Sequence, residues 1–341
     1  MHICIDCRFH GHSGIGRYIR EKVSALMKEH PENKYSIILD RENINDEFAG
    51  CLSGSNVSLI HCAARMYSLR EQWQLPLRIP ACDVFWAPHY NAPLLPVRAK
   101  EKWVTIHDMA HLAIADILGL SVLQKLYARL FFYHSAHCYD VIYTVSEFSK
   151  REIIRYENVP ASRIIVHHNH VDTGRYHRID DIFLQEQVRK KYQLSRRYIL
   201  FVGNIKPHKN LHRLLEAYGM LQLEQPNSCK LVLAGQSEGL LTAATNLAEL
   251  IEQYAIRDKV IFAGYVDEED LPVLYSMAEL FVFPSMYEGW GIPPLEALAC
   301  GCRVLASDAA SIPEACGDRV EYFHWQDTNE LKEKLAGYII Q

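Results

Sequence analysis

The chain contains 341 residues, with a net charge of −5 and a pI near 6.4. This length exceeds that of one average domain, so we expect two domains. The balance of 49% hydrophobic and 23% charged residues indicates a globular protein, and the negative charge disfavours a nucleic-acid partner. No apolar run is long enough to cross a membrane. The chain does not open with the basic and apolar segments of a secretory signal, so we expect a cytoplasmic location.

Strand and helix patterns alternate along the first half. A buried strand over residues 1–6 is followed by an amphipathic helix to about Lys28, with Gly11, Gly14 and Gly16 at the junction. A glycine-rich turn at a helix start is typical of a phosphate site, but a turn that needs positive φ at Gly14 or Gly16 explains it equally. Further strands are predicted over residues 34–39, 57–60, 83–87, 102–107, 141–145 and 163–167, with helices over 120–137 and 146–156.

His107 and Asp108 lie where the predicted strand 102–107 ends. In an open α/β sheet the carboxyl ends of the strands are the places where ligands bind. The run from His107 to His111 also imitates the helical motif of zinc proteases. Asp stands where that motif needs Glu, and His107 follows a strand, so we expect no metal there.

A polar, charged stretch separates this half from a second alternation. Strands are predicted over residues 198–202, 230–234, 260–263, 280–283 and 303–307, and helices over 211–223, 240–254, 268–277, 312–316 and 329–340. Such alternation is typical of parallel, doubly wound sheets. We therefore predict an α/β protein with two Rossmann-like domains, residues 1–175 and 195–328, that face a cleft. Residues 176–194 are the predicted linker, and residues 329–341 the C-terminal helix.

The clearest chemical signal is the segment from Glu288 to Gly301, which reads E-G-W-G-I-P-P-L-E-A-L-A-C-G. It joins a strand to a helix whose first turn accommodates the two prolines. Four backbone N–H groups are expected to be unpaired there, those of Gly291, Ile292, Leu295 and Glu296. With the helix dipole, such donors suit a phosphate. A plain strand-to-helix turn that carries two glutamates is the alternative.

A basic loop follows the first strand of the second half, from Gly203 to Asn210, and reads G-N-I-K-P-H-K-N. Asn210 is predicted to cap the helix that starts there. Lys206, His208 and Lys209 crowd the positive end of that helix, which is unfavourable unless they share a bound anion. The loop therefore indicates a phosphate site, although a solvated basic loop has the same composition.

These motifs occur together with H-S-G-I-G-R-Y at residues 12–18, V-T-I-H-D-M at 104–109 and V-S-E-F-S at 145–149. In this order and combination they resemble glycosyltransferase family four over nearly the whole chain. The runs at 67–76 and 88–93 resemble the bacterial mannosyltransferase-like branch that builds surface polysaccharide. The resemblance implies a GT-B fold and a retaining transfer of a hexose from a nucleotide sugar to an oligosaccharide or polyprenyl-linked acceptor.

The same resemblance implies no cofactor beyond the nucleotide sugar itself. GDP-mannose is the favoured donor, and UDP-glucose-type and dTDP sugars are the alternatives. No Asp-x-Asp motif flanks a strand, so we expect no catalytic metal. The acidic run at residues 267–270 is expected to begin a helix.

The resemblance assigns roles to the residues that match the motifs of the family. Lys209 would bind the donor diphosphate, and Glu288 and His107 would contact the donor sugar; these are the predicted catalytic residues. The other predicted donor contacts are Glu296 for the ribose hydroxyls, Gly291, Ile292 and Leu295 as backbone donors, Gly16 for the diphosphate, and Val266 with Tyr265 for the base.

The resemblance is incomplete at one point. Where the family carries a second phosphate-binding cation, this chain has Asn204 or His208. Either His208 or Lys206 takes over that role, or the phosphate is held more weakly.

The acceptor side is less clearly marked. The predicted acceptor residues are Tyr67, Tyr90, Asn91 and Asp108. A peripheral contact with the inner face of a membrane, where a lipid-linked acceptor would lie, is suggested by a second set: Arg65, Arg70, Arg78, Trp73, Leu75 and the run 130–133. An ordinary core with solvated faces explains the second set as well.

Three other classes of function are weighed against this hypothesis. A nicotinamide-dependent oxidoreductase would use the first glycine-rich turn, but its glycines do not follow G-x-G-x-x-G. A non-catalytic sensor of nucleotide sugars would explain the altered loop at Asn204 and His208. A hydrolase with paired carboxylates is disfavoured, because Glu296 near a helix start is expected to be an anion and not a general acid.

Overall fold

The computed structural model describes residues 1–11, 13–40, 46–226, 229–235 and 240–339. The chain forms two compact units. The first comprises Met1–Ala113 with Leu120–His168, and the second comprises Ile114–Gly119 with the chain from Asn169 onward. Each unit is built around its own parallel sheet.

The first unit contains a seven-stranded sheet. Its strands are β1 (His2–Asp6), β2 (Lys34–Leu39), β3 (Val57–His61), β4 (Cys82–Ala87), β5 (Ala99–Thr105), β6 (Val141–Thr144) and β7 (Ile164–Val166). Its helices are α1 (Ser13–Glu29), α2 (Asp46–Cys51), α3 (Glu71–Arg78), α4 (Ala110–Ala113), α5 (Val122–Cys138) and α6 (Glu147–Glu157). The strand order is β3-β2-β1-β4-β5-β6-β7, and all neighbours are parallel.

The chain changes direction across this sheet between β1 and β4. It first moves outward from β1 to β2 and β3, and then returns to β4 on the other side of β1. Cys4 of β1 accordingly pairs with Ser36 of β2 and with Phe85 of β4. In doubly wound sheets, ligands bind at such a switch point, beyond the carboxyl ends of the two strands. The loops after β1 and β4 are therefore the place to look for a site.

The second unit repeats the arrangement with a six-stranded sheet. Its strands are β8 (Tyr198–Val202), β9 (Lys230–Ala234), β10 (Val260–Gly264), β11 (Leu280–Phe283), β12 (Val304–Ser307) and β13 (Glu321–Phe323). Its helices are α7 (Ile182–Lys191), α8 (Leu211–Glu224), α9 (Leu240–Gln253), α10 (Leu271–Met277), α11 (Ile292–Ala299), α12 (Ile312–Cys316) and α13 (Thr328–Ile339). The strand order β10-β9-β8-β11-β12-β13 places the switch point between β8 and β11.

The predicted α/β class with two doubly wound parallel sheets is confirmed. Strand β13 was not predicted, because its three residues are too short for a period to be visible. The predicted linker, residues 176–194, is not a bare connector, since it contains α7. Asp181 caps α7 by accepting from the N–H groups of Phe183 and Leu184.

The acidic run at 267–270 leads into a helix later than predicted, because Asp270 is the N-cap of α10 and Leu271 its first residue. Asp267 and Asp270 instead hold Lys191 of α7, at 2.7 and 2.6 Å from its Nζ. These carboxylates therefore dock α7 against the start of α10.

The N-terminal glycines also differ from the prediction. Helix α1 already starts at Ser13, so Gly14 and Gly16 lie inside it, and neither has positive φ. A Cβ added to Gly16 would collide with the backbone carbonyls of Phe9 and His10. Gly16 is therefore needed for close packing of α1 on the preceding turn.

Each sheet has its own apolar core. Leu75 of α3 and Phe131 and Phe132 of α5 belong to the core of the first unit. The suggestion that these three residues face a membrane is therefore wrong. Within the described residues, no helix combines the length and apolarity that a membrane span requires.

Candidate functional site

The loops that follow β8 and β11 meet at the switch point of the second sheet. The Met286 backbone N–H donates to the His208 carbonyl at 2.8 Å, which ties the two loops together. Ser311 Oγ donates to the Glu288 carbonyl at 2.8 Å and anchors the second loop. Lys209 Nζ consequently lies 2.6 Å from Glu288 Oε1, and both side chains are only 15% exposed. Two predicted catalytic residues thus form a mostly buried ion pair.

Glu288 is held as an anion. Burial raises its pKa, but the charges of Lys209 and His208 and the hydrogen bond from Lys209 outweigh burial, so the net pKa lies below its usual value. An anionic carboxylate accepts hydrogen bonds from sugar hydroxyls but has no proton to donate. This state disfavours the general-acid role that a paired-carboxylate hydrolase would require of Glu288.

Lys209 retains donors for a ligand. A lysine ammonium carries three N–H donors, and the bond to Glu288 uses one of them. The ammonium also lies 5.5 Å from the centre of the Phe283 ring, which is a cation–π distance. Two contacts therefore fix the ammonium while two N–H groups stay available for phosphate oxygens.

Helix α11 starts at Ile292, with Gly291 as its N-cap at φ 92°. The N–H groups of the N-cap and of the next three residues have no partner inside a helix. Two of these four residues are prolines, so Gly291 and Ile292 are the ones that offer donors. Glu296 is the fifth residue of the helix, so its N–H belongs to the helical ladder and the prediction that it offers a backbone donor is wrong. The donor role of Leu295 stays a prediction.

Glu296 is the fifth residue of α11 and does not lie in its first turn as predicted. It is 4% exposed, and the Tyr275 hydroxyl donates to Glu296 Oε2 at 2.9 Å. Burial, followed by the charge of Glu296, raises the pKa of Tyr275 well above its usual value, so this hydroxyl keeps its proton. Tyr275 therefore orients the carboxylate.

The helix after the basic loop is not capped as predicted. Asn210 adopts φ 59° and makes no side-chain cap. Its Nδ2 instead donates to the Trp325 carbonyl at 2.9 Å. Buried Asn210 thus fastens the loop that carries Lys209 to the segment after β13.

The two candidates for the missing second cation occupy different surroundings. His208 lies close enough to Glu288 to lower the pKa of that carboxyl. The Lys206 side chain is exposed, and Asn204 is partly buried in the same loop. The geometry favours His208 as the group that complements Lys209.

A cavity of about 250 Å³ lies at the carboxyl ends of β8, β9 and β10. It is lined by glycines and apolar residues: Phe201, Gly203, Ile205, Leu233, Ala234, Gly235, Phe262 and Gly264. Gly235 is required there, because an added Cβ would collide with the Gly203 carbonyl. Val266, the predicted base contact, follows β10 and is buried, whereas Tyr265 is exposed. An apolar pocket of this kind suits a flat aromatic ring.

At the switch point of the first sheet, the Arg8 side chain lies between two carboxylates. Arg8 Nε and Nη2 donate to Asp6 Oδ1 and Oδ2 at 2.8 and 2.7 Å, and Nη2 also donates to Glu71 Oε1 at 2.6 Å. The side chains of Arg8 and Glu71 are 1% and 0% exposed. Buried charges are tolerated only when they are paired and hydrogen-bonded, and Arg8 Nη1 completes its bonds on the Ala64 carbonyl at 3.1 Å.

Glu71 uses its second oxygen to hold the neighbouring loops. Glu71 Oε2 accepts from the Tyr67 backbone N–H at 2.7 Å and from Asn91 Nδ2 at 2.8 Å. Asn91 Oδ1 accepts in turn from the Tyr127 hydroxyl of α5. Burial raises the pKa of Glu71, and the Arg8 charge opposes that rise. One buried carboxylate thus joins three segments that are distant in sequence.

Tyr67 has a strained backbone. Its φ of 61° lies in the left-handed region, which costs a residue with a Cβ roughly 1–3 kcal/mol. The residue is 47% exposed, and its hydroxyl lies 3.3 Å from His89 Nε2. The hydrogen bond from its N–H to Glu71 offsets part of the strain.

The hydrogen bonds of His89 fix its tautomer. The Asn91 backbone N–H donates to His89 Nδ1 at 3.1 Å, so a neutral ring carries its proton on Nε2. That N–H can donate to the Tyr67 hydroxyl. The ring also stacks on Phe9, with 4.5 Å between the ring centres.

The structure brings the four predicted acceptor residues together. Tyr67 lies close enough to Tyr90 to raise the pKa of the Tyr90 hydroxyl, and Asn91 binds the same Glu71 oxygen as the Tyr67 N–H. Burial is the largest cause that raises the pKa of both tyrosines, and the charge of Asp108 adds to it. Both hydroxyls therefore stay protonated and can donate as well as accept.

His107 lies two residues beyond β5. Its Nε2 lies 3.0 Å from the Pro88 carbonyl, which can only accept, so Nε2 carries the proton. Burial lowers the pKa of the ring, although the Pro88 carbonyl and Asp108 oppose this effect. A neutral ring of this tautomer leaves Nδ1 as an acceptor for a hydroxyl group.

Sequence reasoning missed several residues of both sites, namely Arg8, Glu71, His89, Tyr127 and Tyr275. The switch-point rule could have found Arg8 and His89, because they follow β1 and β4. Tyr127 and Tyr275 lie within helices and reach the sites only through tertiary contacts, so no local pattern marks them.

Comparison with known proteins identifies the family. The sequence profile described as "Glycosyl transferases group 1" matches residues 185–341. The "O-antigen chain mannosyltransferase B" of Escherichia coli is 32% identical over 322 residues, which cover 90% of this chain and 81% of that protein.

Solved structures identify the fold. Sucrose-phosphate synthase from Thermosynechococcus elongatus superposes with a TM-score of 0.73 at 19% identity, over 99% of this chain and 89% of that one. Anabaena HepE, in complex with UDP-glucose, gives a TM-score of 0.72 at 15% identity, again over 99% and 89%. The chain therefore belongs to the group 1 glycosyl transferases, which are glycosyltransferase family four, and has the GT-B fold.

Proposed function

We propose that this glycosyltransferase moves mannose from GDP-mannose to a glycan acceptor, with retention of configuration and without a metal ion, in surface polysaccharide synthesis. The observation that carries the proposal is the Lys209–Glu288 ion pair. Helix α11 begins shortly after Glu288, with Gly291 as its N-cap and Ile292 as its first residue. A cation and two backbone donors suit a diphosphate, and an anionic carboxylate suits the sugar. Mannose is favoured because the Escherichia coli relative is named a mannosyltransferase.

In the proposed reaction, the bond between the anomeric carbon and the diphosphate oxygen breaks. The acceptor hydroxyl oxygen bonds to that carbon on the same face of the sugar. Lys209, with the N–H groups of Gly291 and Ile292, stabilises the negative charge that grows on the leaving diphosphate. Glu288 holds sugar hydroxyls and stabilises the positive charge on the ring. The acceptor proton passes to the leaving phosphate oxygen, so no protein base is required.

The nucleoside is proposed to bind the second unit from Glu296 to the apolar cavity. Glu296 would accept hydrogen bonds from the ribose hydroxyls, while its Oε2 keeps the hydrogen bond from the Tyr275 hydroxyl. Phe262 and Ile205, which line the cavity, would contact the faces of the base, and Val266, for which the proposal rests on the family resemblance, would contact its edge. His208 would supply the second positive group near the diphosphate, beside Asn204. A cavity of this chemistry stacks any base, so UDP-glucose-type and dTDP sugars remain the alternative donors.

The acceptor is proposed to bind the first unit, as an oligosaccharide or polyprenyl-linked glycan. Tyr67, Tyr90, Asn91 and Asp108 cluster there, with donors and acceptors that suit sugar hydroxyls. For His107 on the donor sugar and Gly16 on the diphosphate, the proposal rests on the family resemblance alone.

The same unit is proposed to contact an anionic membrane at the cytoplasmic face. Leu69, Trp73 and Leu77 follow one another at helical spacing and are each more than half exposed. Helix α5 adds a second exposed apolar face, formed by Val122, Leu123, Leu126, Leu130 and Tyr133. Glu71 and Tyr127, which hold Asn91 from both sides, place the two helices on the same loop.

The charge around these two faces is strongly biased. Residues 62–80, 88–98 and 120–138 contain six arginines and lysines and one acid, the buried Glu71, although the whole chain has a net charge of −5. Apolar side chains among basic ones suit the interface of an anionic bilayer.

Vesicle co-sedimentation tests the membrane contact. The protein should bind vesicles rich in phosphatidylglycerol, bind phosphatidylcholine vesicles poorly, and lose binding as salt rises. Leu126→Glu should abolish binding, whereas Leu223→Glu, at an exposed leucine of α8, should not. Equal binding to both kinds of vesicle, or equal binding by both variants, would contradict the proposal.

The function is tested with purified protein, GDP-mannose and octyl α-D-mannopyranoside as the acceptor probe. The product should carry an α-linked mannose by NMR, and a chelator should leave the rate unchanged. Lys209→Ala, Glu288→Ala and Glu296→Ala should abolish transfer while circular dichroism stays that of the wild type. Undiminished transfer by all three would contradict the proposal, and nucleotide-sugar binding without transfer or hydrolysis would support a non-catalytic sensor.

A further inference from the structure

Tyr67 stands apart among the residues with left-handed backbone. Six described residues other than glycine have positive φ, and Tyr67 is the aromatic one among them. Asparagine tolerates this region because its short polar side chain can hydrogen-bond locally, whereas a tyrosine ring gains nothing from it. Something in the surrounding structure must therefore hold Tyr67 there.

The holding group is the Glu71 carboxylate. Glu71 is the first residue of α3, and its Oε2 reaches back to the Tyr67 N–H at 2.7 Å. Its Oε1 is fixed by Arg8 at 2.6 Å, and Arg8 is itself clamped on both oxygens of Asp6. The carboxylate cannot turn away from Tyr67 without leaving a buried arginine partly unpaired.

We infer that Glu71 is a positioning residue, which holds Tyr67 in its left-handed conformation and so aims the Tyr67 ring and hydroxyl at the acceptor. This inference rests on the proposed function, in which the first unit binds the acceptor. Glu71 does not touch the acceptor, because its side chain is fully buried. It acts through Tyr67, which is 47% exposed.

The same carboxylate also sets the partner of Tyr67. Glu71 binds Asn91 Nδ2, and the backbone N–H of Asn91 holds His89 Nδ1. His89 Nε2 is thereby left to face the Tyr67 hydroxyl at 3.3 Å. One buried charge therefore fixes both the backbone of Tyr67 and the hydrogen bond at the far end of its side chain.

A crystal structure of Glu71→Gln tests the inference without any substrate. A glutamine has one acceptor oxygen in place of two, so it cannot serve both Arg8 and the Tyr67 N–H. Tyr67 should then leave φ near +60° and adopt a negative φ. Retention of the left-handed conformation would overturn the inference. If Glu71→Gln does not fold, Glu71→Asp keeps the charge beside Arg8 but withdraws it from the Tyr67 N–H, and the same outcomes apply.

Kinetics with GDP-mannose and octyl α-D-mannopyranoside test the consequence. Glu71→Gln should raise the KM for the mannoside by about tenfold, as the loss of a hydrogen bond to a charged group implies, and leave the affinity for GDP unchanged. In a Tyr67→Ala background, Glu71→Gln should raise KM no further. If the double variant instead raises KM by the product of the two single-variant factors, Glu71 acts on acceptor binding by another route and the inference is overturned.

Glu157→Gln is the matched control, because Glu157 is another buried carboxylate of the first unit. It should leave the KM for the mannoside at its wild-type value. A wild-type protein that transfers nothing would contradict the proposed function, whereas the structural outcome for Tyr67 still decides the role of Glu71.

Discussion

The two units place their candidate sites at the same position of the same kind of sheet, yet they build them differently. In the second unit, two short segments, 203–210 and 288–301, supply backbone donors and one ion pair. In the first unit, side chains from widely separated segments converge on a buried group of three charges, Asp6, Arg8 and Glu71. A phosphate can be held by local backbone geometry, whereas sugar hydroxyls need individually placed side chains. The same doubly wound topology therefore supports two kinds of site, one built from local backbone donors and one built from side chains of distant segments.

The largest expected effect is on the ion pair of the second unit. Glu288→Gln should lower kcat about 10²–10³-fold, because the anion that faces the developing positive charge is lost. Glu279→Gln is the matched control, since Glu279 precedes β11 at the opposite end of the same strand and pairs with Arg197 at 3.0 Å. Initial rates with GDP-mannose should separate the two variants, and equal rates would remove Glu288 from the site.

The effect of burying a charge in the first unit can be tested at Glu157, a buried carboxylate outside the proposed acceptor site. Burial raises the pKa of Glu157 from 4.5 to about 7, while Arg129 opposes the rise. The folded state therefore binds this proton more tightly than the unfolded state, so its contribution to stability is full below pH 4.5 and is lost as pH rises through 7.

Glu157→Gln should consequently raise the free energy of unfolding at pH 8 by up to about 3 kcal/mol, with no such gain near pH 4.5. Urea unfolding at the two pH values measures the difference. A gain that does not change with pH would show that Glu157 is not held in its protonated form by burial.

The sequence could predict the second site because its signals are local. Lys209 and Glu288 each lie in a strand-loop-helix segment that is read without knowledge of the rest of the chain. The errors there came from details of helix geometry. Glu296 was placed in the first turn because the first residue of α11 was unknown, and Asn210 was predicted as a cap although its side chain is engaged by Trp325, 115 residues away.

The first site could be predicted only in part. Family resemblance supplied Tyr67, Tyr90, Asn91 and Asp108, but nothing in the local pattern joins Arg8 to Glu71 across 63 residues or Tyr127 to Asn91 across 36. A buried salt bridge between distant residues leaves no period or propensity in the sequence. Such contacts depend on the exact strand order and packing, whereas the sequence alone predicts only the fold class.

The close approach of two backbone loops in the second unit can be tested at Gly235. Gly235→Ala drives a Cβ against the Gly203 carbonyl, so it should lower the free energy of unfolding by about 1–3 kcal/mol and weaken GDP binding. Gly337→Ala, in α13 of the same unit, meets no atom within 4 Å and should be neutral or slightly stabilising. Urea unfolding and calorimetry compare them, and equal behaviour would contradict the close approach of the two loops.

The smallest effect concerns the second cation. His208→Ala should weaken GDP binding by about tenfold, the loss of one hydrogen bond to a charged group. Lys206→Ala should leave the affinity for GDP nearly unchanged, because the Lys206 side chain is exposed. Calorimetric titration with GDP measures both variants. A larger loss at Lys206 than at His208 would reverse the assignment.

The division of labour between the two units is tested most directly by titrating GDP-mannose calorimetrically into Lys209→Ala and Tyr67→Ala. If the second unit holds the donor, Lys209→Ala should lose most of the affinity, whereas Tyr67→Ala should bind GDP-mannose as the wild type does. A Tyr67→Ala variant that loses as much donor affinity as Lys209→Ala, or a Lys209→Ala variant that binds normally, would contradict the account.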